Sequence, residues 1–385
     1  MSHRLAFVVA GGLVAAAFSA PPVSGVSLSA ARVSCGDTIT ADTTLHRNLV
    51  GCPNNGIVIG ADGITLNLNG HRINGDGSSF DGCSQGQSCD VGVLNDGHDG
   101  VIVRAGSVRD FAVGVFIGRA RHNRVLGISS VRYRLVGLGV VDSARSVVRN
   151  SSGNRNGGGD GDGMFLLASH DVRVVHNTFR RNGELGLHIG DSNNNLVRGN
   201  LLERNQGIAV LIEGDRNQIR RNRIRHSIGN IIVAPGNGNV IANNRVSRSP
   251  RGTRSSGIAI EVGLGTMVTG NVIAHLRGPG ISLGLVNPAL GGTNNVIRRN
   301  LVKDTSGDGY AVAQKDDRSI LRRNVAIGAK DDGFDIEGRR TKLTGNRAIR
   351  NGDLGIEAVR GVIDGGGNIA RHNADPRQCV HISCS

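Results

Sequence analysis

The densest run of chemically capable side chains is Lys330-Asp331-Asp332-Gly333-Phe334-Asp335-Ile336-Glu337. Strand alternation puts Asp335 and Glu337 on one side and Phe334 and Ile336 on the other. Glu357 follows Asp335 by 22 residues, Asp353 follows Asp331 by 22, and Asp308 and Asp332 each stand eight residues after an Asn. If 22 is a structural repeat, these carboxylates stack roughly 5 Å apart, where like charges repel. A cation held by Asp308, Asp331, Asp332 and Asp335 would relieve this, and Ca²⁺ prefers several carboxylate oxygens. Lys315, Lys330, Arg339, Arg340 and Arg360 offer another compensation. The bland alternative is turn-forming Asp before Gly with surface ion pairs. Asp335, Glu337 and Glu357 could also supply the two carboxylates of a hydrolase.

Two further groups have chemical potential. Gly159-Asp160-Gly161-Asp162-Gly163 precedes His170, His176 and an outward His188. That set allows a metal or acid–base site, although loop composition alone accounts for the Gly/Asp run. Arg220-Arg221, Arg298-Arg299 and Arg322-Arg323 occupy the same two positions before an Asn, and Arg149 and Arg198 join them. Stacked, they form a basic stripe suited to bidentate contacts with carboxylate or phosphate, or simply a solvated face.

The elements that position these groups follow from a repeat. A branched apolar residue precedes Asn by three at Val147/Asn150, Val174/Asn177, Val197/Asn200, Ile219/Asn222, Ile241/Asn244, Val268/Asn271, Ile297/Asn300, Leu321/Asn324 and Leu343/Asn346. Gly127 and Asn368 are weaker flanking copies. The steps between Asn residues are 27, 23, 22, 22, 27, 29, 24, 22 and 22, a period of 22 with loop insertions. Two residues after the Asn comes an apolar residue (Phe179, Leu202, Ile224, Val246, Ile273, Val302). Later comes Gly with apolar residues at +1 and +3, as in Gly186-Leu187-x-Ile189 and Gly333-Phe334-x-Ile336. Period-2 alternation marks strands with one buried face. Outward positions at Ala209, Ala259, Ser282 and Ala311 carry no chemistry. A 22-residue unit cannot bury its apolar face alone, so units must stack. Gly and Asn disfavour helical solenoids, and a propeller blade needs roughly 40–45 residues. The remaining architecture is a single-stranded parallel β-helix with one coil per repeat. Asn at successive corners would form an amide ladder, and φ freedom would explain the Gly that opens each strand.

Organisation follows from the same pattern. Residues 1–31 read as a signal peptide, with cleavage after Ala20, Gly25 or Ala30. Residues 32–104 form a cap and irregular first coils, 105–373 the regular β-helix, and 374–385 a tail. Six Cys in an exported chain suit disulfides. Of the fifteen possible pairings, proximity favours Cys35 with Cys52, Cys83 with Cys89, and Cys379 with Cys384.

Composition narrows the classes. Gly numbers 59 of 385 residues without a three-residue period, so collagen is excluded. The hydrophobic share of 38% allows a core. Aromatics are 3% with no Trp, so recognition leans on charge and hydrogen bonds. The net charge is +14, and all but four of the 45 basic residues are Arg. Nucleic acid is disfavoured as partner by export and the lack of a reading motif. Stable membrane insertion is not expected, and the chain is expected to be a monomer.

The repeats across residues 100–373, with the opening Cys35-Gly36-Asp37-Thr38-Ile39-Thr40 and Leu66-Asn67-Leu68-Asn69-Gly70, resemble the secreted right-handed parallel β-helix proteins. That superfamily includes pectate lyases, uronan C5-epimerases and NosD-type periplasmic accessory proteins. The resemblance implies right-handed coils and an extracytoplasmic place, secreted, periplasmic or on the cell surface. It implies a protein that binds or acts on anionic, uronic acid-type polysaccharide, by β-elimination or C5 epimerisation if an enzyme. Asp331-Asp332-Gly333-Phe334-Asp335 is similar to the calcium-binding segment of one pectate lyase family, and Arg339 or Arg340 would then be the base. The alternatives are a non-catalytic envelope protein that binds polyanions through its Arg stripe, or a NosD-like accessory protein.

Overall fold

The computed structural model describes residues 32–78, 90–156, 161–250, 252–284 and 292–385. Residues 1–31, read above as a signal peptide, and Cys83, Cys89, Gly159 and Asp160 lie outside them. The described residues form an all-β parallel solenoid of about 14 turns with no helix. Each turn places one strand in a long sheet of fifteen parallel strands, from Asp37–Ile39 through Cys379–Val380. The other strands build two further strips. One contains Arg173–Val175, Leu196–Arg198 and Gln218–Arg220, and the other Thr178–Arg180, Leu201–Glu203 and Arg223–Arg225. Disulfides Cys35–Cys52 and Cys379–Cys384 lie near the ends.

Three-residue strands dominate because each ends at a tight corner. The inward residues Phe179, Leu202, Ile224, Val246, Ile273 and Val302 are fully buried in one continuous core. Behind them runs the amide ladder. The backbone N–H of Asn177, Asn200, Asn222, Asn244, Asn271, Asn300, Asn324 and Asn346 each donates to the side-chain oxygen of the next Asn, at 2.7–3.1 Å, ending at Asn368.

Four expectations are corrected. Asn150 is outside the ladder: Ser151 holds that place, its N–H donating to Asn177 Oδ1 at 2.9 Å. Asn150 sits one residue earlier at φ 51°, in the same corner as His176, Arg221, Arg299 and Arg323. Gly127, at φ 64°, belongs to that corner too. The strand-opening glycines serve close approach rather than φ freedom. A Cβ on Gly257, Gly280, Gly309 or Gly333 would stand 2.5–2.7 Å from the carbonyl oxygen of the corresponding Gly one coil on. Ala209 is core, and the outward position of its strand is Leu211, in register with His188 and Ile232. The single visible ladder is accompanied by others, including Asn195–Asn217–Asn239 and Asn351–Asn373.

Asn222→Ala removes the acceptor of the Asn200 N–H and the donor to the Val197 carbonyl. Two buried groups left unpaired should cost about 2–4 kcal/mol, seen as a lower chemical-denaturation midpoint. Asn150→Ala, at an exposed corner, should cost about 1 kcal/mol or less.

Candidate functional site

Register places Ala311, Asp335, Glu357 and Val380 in one outward column of the long sheet. Ala259 and Ser282 continue it toward the N-terminus. These two and Ala311 are outward yet buried; Ser282 Oγ donates to Ser256 Oγ at 2.8 Å. The column becomes accessible again at Asp335.

The four aspartates expected to share a cation divide in two. Asp308, Asp331 and Asp332 bring carboxylate oxygens within 4.8 Å of one another. One oxygen of Asp308 accepts from Asp332 N (3.2 Å), and one of Asp332 from Leu354 N (2.7 Å). Asp332 also shares a side-chain hydrogen bond with Glu357. Asp335 instead lines a cavity of about 400 Å³ with Glu337, Glu357, Arg360, Val380 and His381. Burial, then the neighbouring carboxylates, raises Asp335 to about 7; burial, then Asp331, raises Asp308 to about 6. Asp332 is also raised, by burial and by Glu357 and Asp308. These shifts express burial first and stacked like charges second.

Two basic groups reach this cavity. Arg360 lines it, and so does His381, whose Nδ1 lies 2.7 Å from the Ala358 carbonyl oxygen. A carbonyl only accepts, so Nδ1 carries a proton, and in the neutral ring Nε2 keeps the lone pair. Arg339 and Arg340 do not line the cavity. Arg340 stands in a left-handed corner (φ 60°) paired with Asp317, and Arg339 extends over Gly361 of the next coil. His381 lies in the Cys-flanked tail, outside the repeat, where periodicity gave no signal.

The Arg pairs do not form one stripe. Arg198 and Arg220 are adjacent, as are Arg298 and Arg322, but Ala242 and Thr269 separate the two couples. Arg221 stands between Gly199 and Asn243, while Arg299 and Arg323 are neighbours. A longer basic row lies on another corner: Arg155, Arg181, Arg204, His226 and Arg248, all at φ 56–64°. Beneath it, buried Glu203 holds Arg225 at 3.0 Å and Arg180 at 3.4 Å. Asn156, Asn182 and Asn205 follow the row's first three members and Ser227 and Ser249 the last two, and Asn182 N–H donates to Asn205 Oδ1 at 3.2 Å. His170 pairs with Asp171, and His176 is a corner residue. His188 lies between Glu213 and Asp162.

The sequence profile described as periplasmic copper-binding protein (NosD) matches residues 38–215, 153–289 and 216–366. The chain belongs to the NosD family. Among solved structures, this NosD-family chain is similar in fold to the alginate lyase AlyF-OU02 in complex with G6 (TM-score 0.55, 12% identity, 92% of this chain and 83% of that one). It is similar to a tailspike protein mutant of E. coli bacteriophage HK620 (0.52, 13%, 86% and 68%). It is also similar to PfbA, a surface adhesin of Streptococcus pneumoniae (0.50, 11%, 80% and 83%). No curated protein matches.

Copper selects imidazole and soft sulfur ligands. All four described Cys form disulfides, Met164 is buried in the core, and Met267 lies against Arg298. Among the described residues, the one converging His/Cys/Asp/Glu group is all aspartate. These residues do not fit copper.

The raised carboxyls predict a pH slope. Between the ordinary value of 3.8 and about 7, folded Asp335 keeps a proton that the unfolded chain has released. Its contribution to stability is therefore complete below about pH 4 and lost as pH rises through 7. In cation-free buffer the thermal midpoint should fall from pH 5 to 8, and Asp335→Asn should flatten that fall.

Proposed function

We propose that this NosD-family protein is extracytoplasmic and acts on a uronic acid-containing polysaccharide laid along the outer face of the long sheet. The observation that carries the reading is the C-terminal cavity. It joins carboxylates (Asp335, Glu337, Glu357) to a guanidinium (Arg360) and an imidazole with a free nitrogen (His381). Beside it stands the three-aspartate cluster. The lyase whose fold it shares is consistent with this reading, and so are the two disulfides, which suit an oxidising compartment.

Arg360 pairs the uronate carboxylate and helps to acidify the adjacent C5–H. His381 Nε2 accepts the C5 proton. In β-elimination that electron pair becomes the C4=C5 bond, the C4–O glycosidic bond breaks, and the leaving oxygen takes a proton. In epimerisation a second acid protonates C5 from the opposite face, and the proton taken by His381 is released to solvent. Asp308, Asp331 and Asp332 would hold Ca²⁺, which supplies charge neutralisation at the substrate carboxylate. The basic corners favour a second reading, a protein that retains polyanions without converting them.

Oligomannuronate, oligoguluronate and oligogalacturonate, with and without Ca²⁺, separate these readings. Growth of unsaturated-uronate absorbance, or C5 inversion by NMR, is expected. His381→Gln should lower the rate at least about 100-fold. Loss in Arg339→Ala or Arg340→Ala instead would return the base to those residues. Asp332→Asn should abolish Ca²⁺ stimulation. Salt-sensitive retention without product would establish the binding reading.

A further inference from the structure

The outward column of the long sheet has a second populated stretch. From the N-terminal side its register runs Phe116, Gly139, Phe165, His188, Leu211. Of the five described Phe residues, Phe111, Phe179 and Phe334 are buried. The two that are not, Phe116 and Phe165, both stand in this column.

Their surroundings lay the rings down. Gly118 follows Phe116 by two residues on the same side, and Gly139 lies beside it on the next strand. A Cβ at Gly118 would stand 2.5 Å from Phe116 Cε1, and one at Gly139 3.3 Å from Cδ2. The ring therefore lies over both glycines, and Phe116 is half-buried. His188 repeats the arrangement with Gly190, where a Cβ would be 3.3 Å from its Nε2. The Phe165 and His188 ring centroids are 5.4 Å apart at 43°.

Polar groups converge at the same place. His188 Nε2 lies 2.8 Å from Glu213 Oε2, and Nδ1 lies 3.9 Å from Asp162 Oδ2. Asp162 is anchored, its Oδ1 accepting from Leu185 N at 3.0 Å. The two carboxylates face opposite ring nitrogens, so they do not converge on a common point as metal ligands must. Glu184 adds a third carboxylate acting on both His188 and Asp162.

We infer that Phe116, Phe165, His188 and Glu213 form a saccharide subsite for an uncharged pyranose residue, separate from the acidic cavity. A pyranose has an apolar C–H face and a rim of hydroxyls. The C–H face fits flat aromatic rings, and the hydroxyls donate to Glu213 and exchange hydrogen bonds with the imidazole. Carboxylates beside one imidazole disfavour a uronate here, where, unlike at the C-terminal cavity, no acidic trio among the described residues converges to hold a neutralising cation. Six register steps separate His188 from Asp335. At about 4.8 Å per coil that is roughly 29 Å, the length of several sugar residues. The inference rests on the reading of this face as a polysaccharide track. It makes the ligand a heteropolysaccharide, with neutral residues at the centre of the solenoid and uronate at its C-terminal end.

The test uses the full chain with neutral hexasaccharides of β-1,4-linked glucose, galactose and N-acetylglucosamine. Saturation-transfer NMR with irradiation of aromatic resonances and calorimetry read binding; oligoguluronate is titrated in parallel on the wild type. At least one neutral hexamer should bind saturably, with transfer to its ring C–H protons. Phe165→Leu, which keeps apolar bulk without an aromatic face, and His188→Gln should each weaken it at least 10-fold with an unchanged thermal midpoint. Phe116→Leu serves if either variant fails to fold. No saturable neutral hexamer up to millimolar concentration, or equal affinity in the folded variants, overturns the subsite. Neutral binding without oligoguluronate binding or turnover would overturn the uronate reading alone, and the reverse pattern would overturn only this one.

Discussion

The structure depends on one contact: a backbone N–H meeting a hydrogen-bond acceptor one coil on, held in register by buried Asn amides. Asn200 shows the unit. Its N–H donates to Asn222 Oδ1, its amide donates to the Val174 carbonyl and again to Asn222 Oδ1, and none of this is exposed. Each amide satisfies corner groups that no strand pairing reaches, in an interior where an unpaired polar atom is costly. A slip of one residue would turn the Asn column outward and the apolar column with it. Register is therefore secured by polar corners as much as by the core.

That constraint makes columns, and columns make chemistry. Residues one repeat apart in sequence come to lie about 4.8 Å apart on a straight face. Asp335 and Glu357 stack as neighbouring carboxyls because Phe334 and Ile356 must both face the core. Burial, and then repulsion from Asp308, Glu337 and Glu357, raises Asp335. The same rule stacks arginines at left-handed corners, a conformation that Gly and Asn adopt at lower cost. Coils also approach closely where Gly faces Gly, which brings outward residues of successive coils onto one nearly flat surface.

Membership of the NosD family and similarity to a lyase, a tailspike and an adhesin share this architecture at 11–13% identity. A fold so tolerant of sequence leaves function to the side chains on its outer columns. Here the long sheet carries two polar stations separated by the apolar and buried positions Ile232, Ala259, Ser282 and Ala311.

The sequence by itself determined the coil, its 22-residue period, most inward apolar residues and the stacking of Asp308, Asp332, Asp335 and Glu357, and proximity favoured the terminal disulfide pairs. Each is a local or strictly periodic property, so spacing alone carries it. It misjudged Asn150 by one residue because a Ser can replace Asn in the ladder, and only hydrogen bonds between coils show which residue is in line. It attributed the strand-opening glycines to backbone freedom, whereas the contact they permit lies a whole coil away. Tertiary structure alone placed His381 and Arg360 at the cavity, Arg340 away from it, and His188 between Glu213 and Asp162. Those groups come from different coils, loops and the tail, where insertions interrupt the period. Three-dimensional register, and not sequence distance, decides which of them meet.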